Sequence, residues 1–235
     1  MISDFDTVFI SDVHLGTDRC NTKKFLNFLK TLKTKKLVMV GDILDIHCLE
    51  KYNTKWNKQH TKCIHKLIEV VKSGIEVVYI LGNHDATFRR YSGFTHQNLT
   101  MVEEYVHIDT KGKKYLCVHG DKYSEYSSGS WKQLYFNWGY EIITPLSETL
   151  KKYFNFSLIE FLKNTPNGKK YIRQYESDIA KYCKKRKQYD GVICGHIHHA
   201  NIRKVGKLNY MCCGDWCDQC TAIVEKGGNY EIKYF

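Results

Sequence analysis

No stretch of this 235-residue chain comes near the roughly 20 consecutive apolar residues that a membrane-spanning helix requires. The longest runs, such as Val77-Val-Tyr-Ile-Leu81, fall far short, so nothing is expected to span a bilayer. The opening residues, Met1 to Asp6, carry neither the basic nor the apolar region of a secretory signal, which points to a cytoplasmic protein. No internal repeat is visible, and arginine is scarce: Arg19, Arg89, Arg90, Arg173, Arg186 and Arg203 are six of the 36 basic residues. The surplus of lysine, beside 17 tyrosines, is the bias that an AT-rich genome produces. Scattered lysines therefore say little, and the few arginines say more.

A second C-x-x-C pair is also missing. Cys217-Asp-Gln-Cys220, with Cys212 and Cys213 just before it, resembles half of a structural zinc site, but nothing completes four ligands. The ten cysteines are scattered through apolar runs, and reduced thiols are expected. Apolar residues at 43% and charged residues at 26% match ordinary soluble proteins, which excludes wholesale disorder and fibrous repeats. The length suits a single domain, residues 1–235, with room for a substantial insertion. A net charge of +11 favours contact with polyanions or an anionic membrane face.

Short apolar runs rich in β-branched and aromatic residues predict buried strands at Thr7 to Ile10, Leu37 to Val40, Val77 to Leu81, Tyr115 to Val118 and Gly191 to Cys194. Between them, Phe25, Phe28, Leu29 and Leu32 share one helical face, as do Ile64, Leu67, Ile68 and Val71. This alternation predicts an α/β core with helices packed on a sheet. Near the end, Leu208 to Cys213, Cys220 to Glu225 and Tyr230 to Tyr234 read as consecutive strands, with Gly227-Gly228-Asn229 as a hairpin turn, so the sheet system is mixed. Residues 122–189 differ: Ile172, Tyr175, Ile179 and Tyr182 recur at helical spacing, and the segment reads as a helical insertion.

Each of the first five strands ends in polar residues that could bind a metal: Asp12-Val-His14, Gly41-Asp42-Ile-Leu-Asp45, Gly82-Asn83-His84-Asp85, His119-Gly-Asp121 and Gly195-His196-Ile-His198. One such motif alone is more often a turn. Five together are a site, because an α/β sheet presents the C-terminal ends of its strands along one edge. Imidazoles mixed with carboxylate and amide oxygens suit divalent Mn, Fe, Zn or Co better than an all-oxygen magnesium site. The pairs Asp12/His14 and His196/His198 are two residues apart, so an extended backbone is expected to turn both members to one side. Glycine before Asp42, Asn83 and His196 allows the close backbone approach that a crowded centre needs.

In motif type, order and approximate spacing, this set resembles the calcineurin-like metallophosphoesterase superfamily. The resemblance implies a four-layer αββα sandwich of two mixed β-sheets flanked by helices. It implies two divalent metal ions, manganese first, with iron, zinc or cobalt as alternatives. One ion would be held by Asp12, His14, Asp42 and His198, and the other by Asp42, Asn83, His119 and His196, with Asp42 shared. Such a pair would lower the pKa of a bridging water and supply a hydroxide for attack at phosphorus. His84 would stabilise or protonate the leaving oxygen, held in orientation by Asp45.

A narrower resemblance, to the UDP-2,3-diacylglucosamine pyrophosphatase branch, rests on Ile10-Ser-Asp-Val-His-Leu-Gly16, Gln59-His60, Gly82-Asn-His-Asp85 with Arg90, Val192-Ile-Cys-Gly-His-Ile-His-His-Ala200 and Gly214-Asp-Trp216. It implies a nucleotide-linked glycolipid as substrate, with release of UMP at the membrane face of the cytoplasm. The chain departs from that branch at His84, where arginine is the commoner residue. Residues 122–189 hold 13 Lys/Arg against 6 Asp/Glu and 15 of the 32 aromatics, as expected of a lid that meets acyl chains and lipid phosphates. Arg89 and Arg90 stand close enough to the Asn83 turn to contact a bound phosphate. Basic charge beside aromatics also describes a nucleic-acid surface, so a phosphodiesterase acting on nucleic acid or a soluble nucleotide is the alternative. A scaffold that has lost its chemistry is a third, weakened by the intact ligand set.

Overall fold

Apolar alternation along the strands decides the layering. In β1 (Phe5–Ile10), Val8 and Ile10 face one way and Phe9 the other, and all three are fully buried, so this strand has packing on both faces. The computed structural model describes residues 5–52, 54–123, 153, 157–186 and 188–235. Among them, β1 pairs in parallel with β2 (Thr34–Val40), β2 with β3 (Glu76–Ile80), and β3 with β5 (Leu99–Val102). The two-residue β4 (Thr95–His96) closes one edge; β11 (Thr221–Lys226) and β12 (Asn229–Tyr234) extend the other as an antiparallel hairpin. Gly227 and Gly228 form its turn with φ of 56° and 68°, where only glycine is free of strain.

A second mixed sheet runs in the order β6 (Glu104–Ile108), β7 (Lys114–Val118), β8 (Gly191–Cys194), β10 (Leu208–Cys212), β9 (Asn201–Val205). Its three inner strands are parallel and its edges antiparallel. Between the sheets lie Phe9, Val38, Val40, Val78 and Ile80 from the first, against Tyr115, Cys117, Ile193 and Met211 from the second. The outer face of the first sheet packs on α1 (Thr22–Thr31) and α3 (Lys58–Lys72) through Phe25, Phe28, Leu29, Cys63 and Val70. Asn21 and Asn57 cap these helices by accepting from backbone N–H groups of the first turn. Ile68, grouped with the apolar face by spacing, is 46% exposed. The face of α3 is centred near Leu67, and Ile68 lies about 100° round the helix from it.

The helical layer on the second sheet comes from α4 (Leu158–Asn164) and above all α5 (Pro166–Lys185), capped by Thr165 with proline in the first turn. Ile172, Tyr175, Ile179 and Cys183 of α5 pack against Leu116, Val118, Val192 and Tyr210. The part of segment 122–189 read from its periodicity is therefore the fourth layer of the sandwich. Residues 124–152 and 154–156, which hold eight of the segment's 15 aromatics but only three of its 13 basic residues, lie outside the described residues. The structure also adds elements with weak apolar patterns: α2 (Ile46–Tyr52), a 3-10 helix at Ala86–Tyr91, β4, β5, β6 and β9. No helix among the described residues is long and apolar enough to cross a membrane.

Candidate metal centre

Parallel pairing brings the C-terminal ends of β1, β2, β3, β7 and β8 together, and all seven expected donors stand within a few residues of those ends. The backbone there is not extended, contrary to the expectation from the two-residue spacing. Asp12, His14, Asp42, His196 and His198 have φ of 53°, 53°, 55°, 72° and 51°, in the left-handed region that side chains other than glycine rarely adopt. Asp and His enter that region more readily than most, which suits them to these turns. Hydrogen bonds from the N–H groups of Val13 and His14 to the carbonyl of Asp42, at 2.9 and 3.0 Å, hold two of the turns against each other. The glycines act through proximity: a Cβ on Gly82 would lie 2.1 Å from Asp42 Oδ1, and one on Gly195 2.6 Å from Asp12 Oδ2.

Two donor groups result, each with its ligand atoms within 4.8 Å of one another: Asp12, His14 and His198, and Asp42, His119 and His196. In the first, His198 Nε2 stands 3.2 Å from Asp12 Oδ1 and 3.3 Å from His14 Nε2. In the second, His119 Nε2 stands 3.1 Å from Asp42 Oδ2 and 3.2 Å from Asn83 Oδ1. The outward ring nitrogens are anchored. His119 Nδ1–H donates to the carbonyl of Val40 at 2.9 Å, and His14 Nδ1 meets Asp45 Oδ2 at 2.8 Å, which turns both Nε2 atoms inward. Asp12 Oδ2 accepts from Ser11 Oγ and the N–H of His196, whereas the buried Oδ1 has no hydrogen-bond partner among the described residues. An orphaned carboxylate oxygen facing two imidazoles is a place for a cation.

Electrostatics agree with that. Burial alone would raise the carboxyl of Asp12, but the facing His198 outweighs it and holds the group at about 2. Asp42 is likewise kept well below the usual range against burial, by His119 and His84. Burial and the neighbouring His119 push His196 down to about 4, so that ring is a neutral donor at physiological pH. For His84, burial is outweighed by Asp42 and Asp45, and its proton affinity rises.

Asp45 does more than the sequence suggested. Its Oδ1 lies 2.9 Å from His84 Nδ1 while its Oδ2 holds His14, so one buried carboxylate orients two imidazoles. Arg89 donates to Asp121 at 2.7 Å; Arg90 is exposed and lies over the ring of Tyr91. None of the ten cysteines is in a disulfide, and Cys217 shares a potential ligand group with His198 and Asp215 rather than with Cys220. Two contacts were not foreseen. The ammonium of Lys163 on α4 donates to the carbonyl of His198 at 2.5 Å, and the hydroxyl of Tyr175 on α5 donates to the carbonyl of Gly195 at 3.3 Å. Their only trace in the sequence is general, a basic and aromatic helix.

Carboxylate, amide and imidazole donors converging at the strand ends of a two-sheet sandwich define a metal-dependent phosphohydrolase. The model of the calcineurin-like phosphoesterase family matches residues 5–200, and the chain belongs to that family. Among solved structures it is similar to a novel archaeal phosphodiesterase, at 11% identity over 97% of this chain and 99% of that one, with a TM-score of 0.50. It is also similar to Yfce, a phosphoesterase from E. coli, at 16% identity over 96% and 86% of the two chains, with a TM-score of 0.46. Vacuolar protein sorting 29 from Cryptosporidium parvum matches at 12% identity over 98% and 97%, also with a TM-score of 0.46. At these identities the likeness concerns the fold. No curated protein matches the sequence.

Proposed function

We propose that the centre is binuclear, with Asp12, His14, Asp42 and His198 holding one divalent ion and Asp42, Asn83, His119 and His196 the other. The observation that carries this reading is the occurrence side by side of two donor groups, each with two buried members and one half-buried histidine, one of them with an orphaned carboxylate oxygen. Bound ions, manganese first, would neutralise charge on the phosphoryl oxygens and acidify a water for attack on phosphorus. The protein's own part is orientation and proton handling. Asp45 fixes Nδ1 of His84, leaving the other ring nitrogen to give a proton to the departing oxygen. The N–H of His84 donates to Asp42 Oδ1 at 2.8 Å, so the same turn that positions the acid also orients the shared carboxylate.

For the substrate we infer a nucleotide-linked glycolipid of the UDP-2,3-diacylglucosamine type, cleaved at its pyrophosphate to release UMP. In support, α4 exposes Phe161 and Leu162, an apolar surface on the helix whose Lys163 reaches the His198 turn. Lys169, Lys170 and Arg173 line a cavity of about 520 Å³ at the start of α5, a basic surface suited to phosphate. Arg90 is assigned a phosphate contact, and Arg89, with one amino group committed to Asp121, keeps further donors for the same use. Such a substrate would bring the protein to an anionic membrane face. Purified protein with manganese is expected to release UMP from the acylated sugar nucleotide. Turnover of bis(p-nitrophenyl) phosphate or of oligonucleotides without release of UMP would remove the substrate and keep the reaction class; no turnover of any of them with ions bound would remove both.

A further inference from the structure

The loop joining β10 to β11 supplies none of the seven donors, yet it packs against the turns that carry them. Ser11 Oγ lies 3.1 Å from the carbonyl oxygen of Gly214, the N–H of Trp216 donates to the carbonyl of Asp12 at 3.0 Å, and Asp215 Oδ2 lies 3.7 Å from His198 Nδ1. Asp215 is completely buried. Its Oδ1 accepts from the N–H groups of Cys217, Asp218 and Gln219 at 2.8, 2.6 and 3.1 Å, which fixes the carboxylate in the turn. Oδ2 makes no hydrogen bond among the described residues.

We propose that Asp215 is the positioning residue for His198: its Oδ2 accepts a hydrogen bond from Nδ1–H and thereby keeps the Nε2 lone pair on the group formed with Asp12 and His14. The proposal rests on the binuclear reading above. Ligating imidazoles ordinarily give their second N–H to a carboxylate or carbonyl. Asp45 and the carbonyl of Val40 do this for His14 and His119, and Asp215 completes the pattern for His198. The separation exceeds hydrogen-bond length by less than about 1 Å, so a small closure accompanies loading. Asp215 belongs to the Gly214-Asp215-Trp216 motif, which lies outside the seven donors.

Asp215→Asn separates this role from a structural one. The amide keeps an oxygen for the three backbone donors and turns its N–H toward His198 Nδ1, so ligation through Nε2 sets two donors against each other. In the full-length protein, manganese affinity at one of two sites is expected to fall about 10–100-fold. The melting temperature without metal should stay within about 3 °C of wild type. In zinc-loaded wild type with ¹⁵N-labelled histidine, the proton of His198 is expected on Nδ1, its signal assigned by its loss in His198→Gln. Unchanged affinity in Asp215→Asn, or a wild-type His198 with its proton on Nε2, overturns the proposal. A third bound ion abolished by Cys217→Ser also overturns it, by making Asp215 a ligand. If Asp215→Asn does not fold, the wild-type proton position decides. A wild type that binds no ions at all removes the binuclear reading along with it.

Discussion

Asp45→Asn tests the sharpest feature of the centre, because an amide can serve only one of the two imidazoles that the carboxylate serves. Oδ1 of Asp45 meets His84 Nδ1 at 2.9 Å and accepts from the N–H of Cys48 at 2.9 Å, while Oδ2 meets His14 Nδ1 at 2.8 Å. If the amide oxygen stays with His84 and Cys48, its N–H group faces His14 and drives that ring's proton onto Nε2, the ligand atom. Losing such a partner costs about 10–100-fold in metal affinity, or about 1.4–2.7 kcal/mol. If the amide flips, His84 loses its acceptor, and a proton-transfer role gives up about 10²-fold or more in kcat. A manganese titration of bis(p-nitrophenyl) phosphate hydrolysis separates the outcomes, one moving the half-saturating concentration and the other the plateau. Asp45→Ala should move both, and it should also melt earlier, since three N–H groups lose their acceptor and one left unsatisfied in a buried place, as at His14, costs about 1–3 kcal/mol. Wild-type half-saturation and plateau in Asp45→Ala would refute the double role.

His84→Gln is expected to lose about 10²–10⁴-fold in kcat on esters of poorly acidic alcohols and far less on p-nitrophenyl esters, with metal content unchanged; equal losses on both would remove its role as acid. Gly195→Ala should lower metal content and melting temperature together, because its methyl would stand 2.6 Å from Asp12 Oδ2 and Ser11 Oγ; elemental analysis and a melting curve check this. His107 provides a pH test away from the centre. It is buried, its ring packs edge-on against Phe9, and burial pushes it down to about 4 from 6.5. Between those values the unfolded chain binds the extra proton, so stability is flat above pH 6.5, falls as pH drops toward 4, and loses about 3 kcal/mol in all. In His107→Phe the fall should shrink by that amount in denaturant titrations across this window; an unchanged slope would show that His107 titrates normally.

The core strands were legible because both faces of each are apolar, as in Val77 to Leu81, and the donors because they sit at the ends of those runs. Less visible was anything decided by a partner. The spacing of Ile172, Tyr175 and Ile179 reveals an apolar face but not what covers it, which the contacts with Val192 and Tyr210 supply. The edge strands β4 and β6 are short or half-exposed and carry no clean period. The motifs pair Asp45 with His84 alone, because a carboxylate's second oxygen leaves no mark on a motif. The left-handed turns escaped for a similar reason: Asp-x-His fits an extended and a coiled backbone equally well.

Those turns bear on how the centre should be dissected. Alanine is a poor probe at His14 or His198, since it removes the imidazole and at the same time puts a residue that tolerates φ near +50° less well than histidine into the turn. Activity lost that way would be credited to the missing donor when part of it belongs to a sprung loop. Asparagine tolerates the conformation and lacks the ring, so His14→Asn and His198→Asn report on the imidazole with the main chain left at rest.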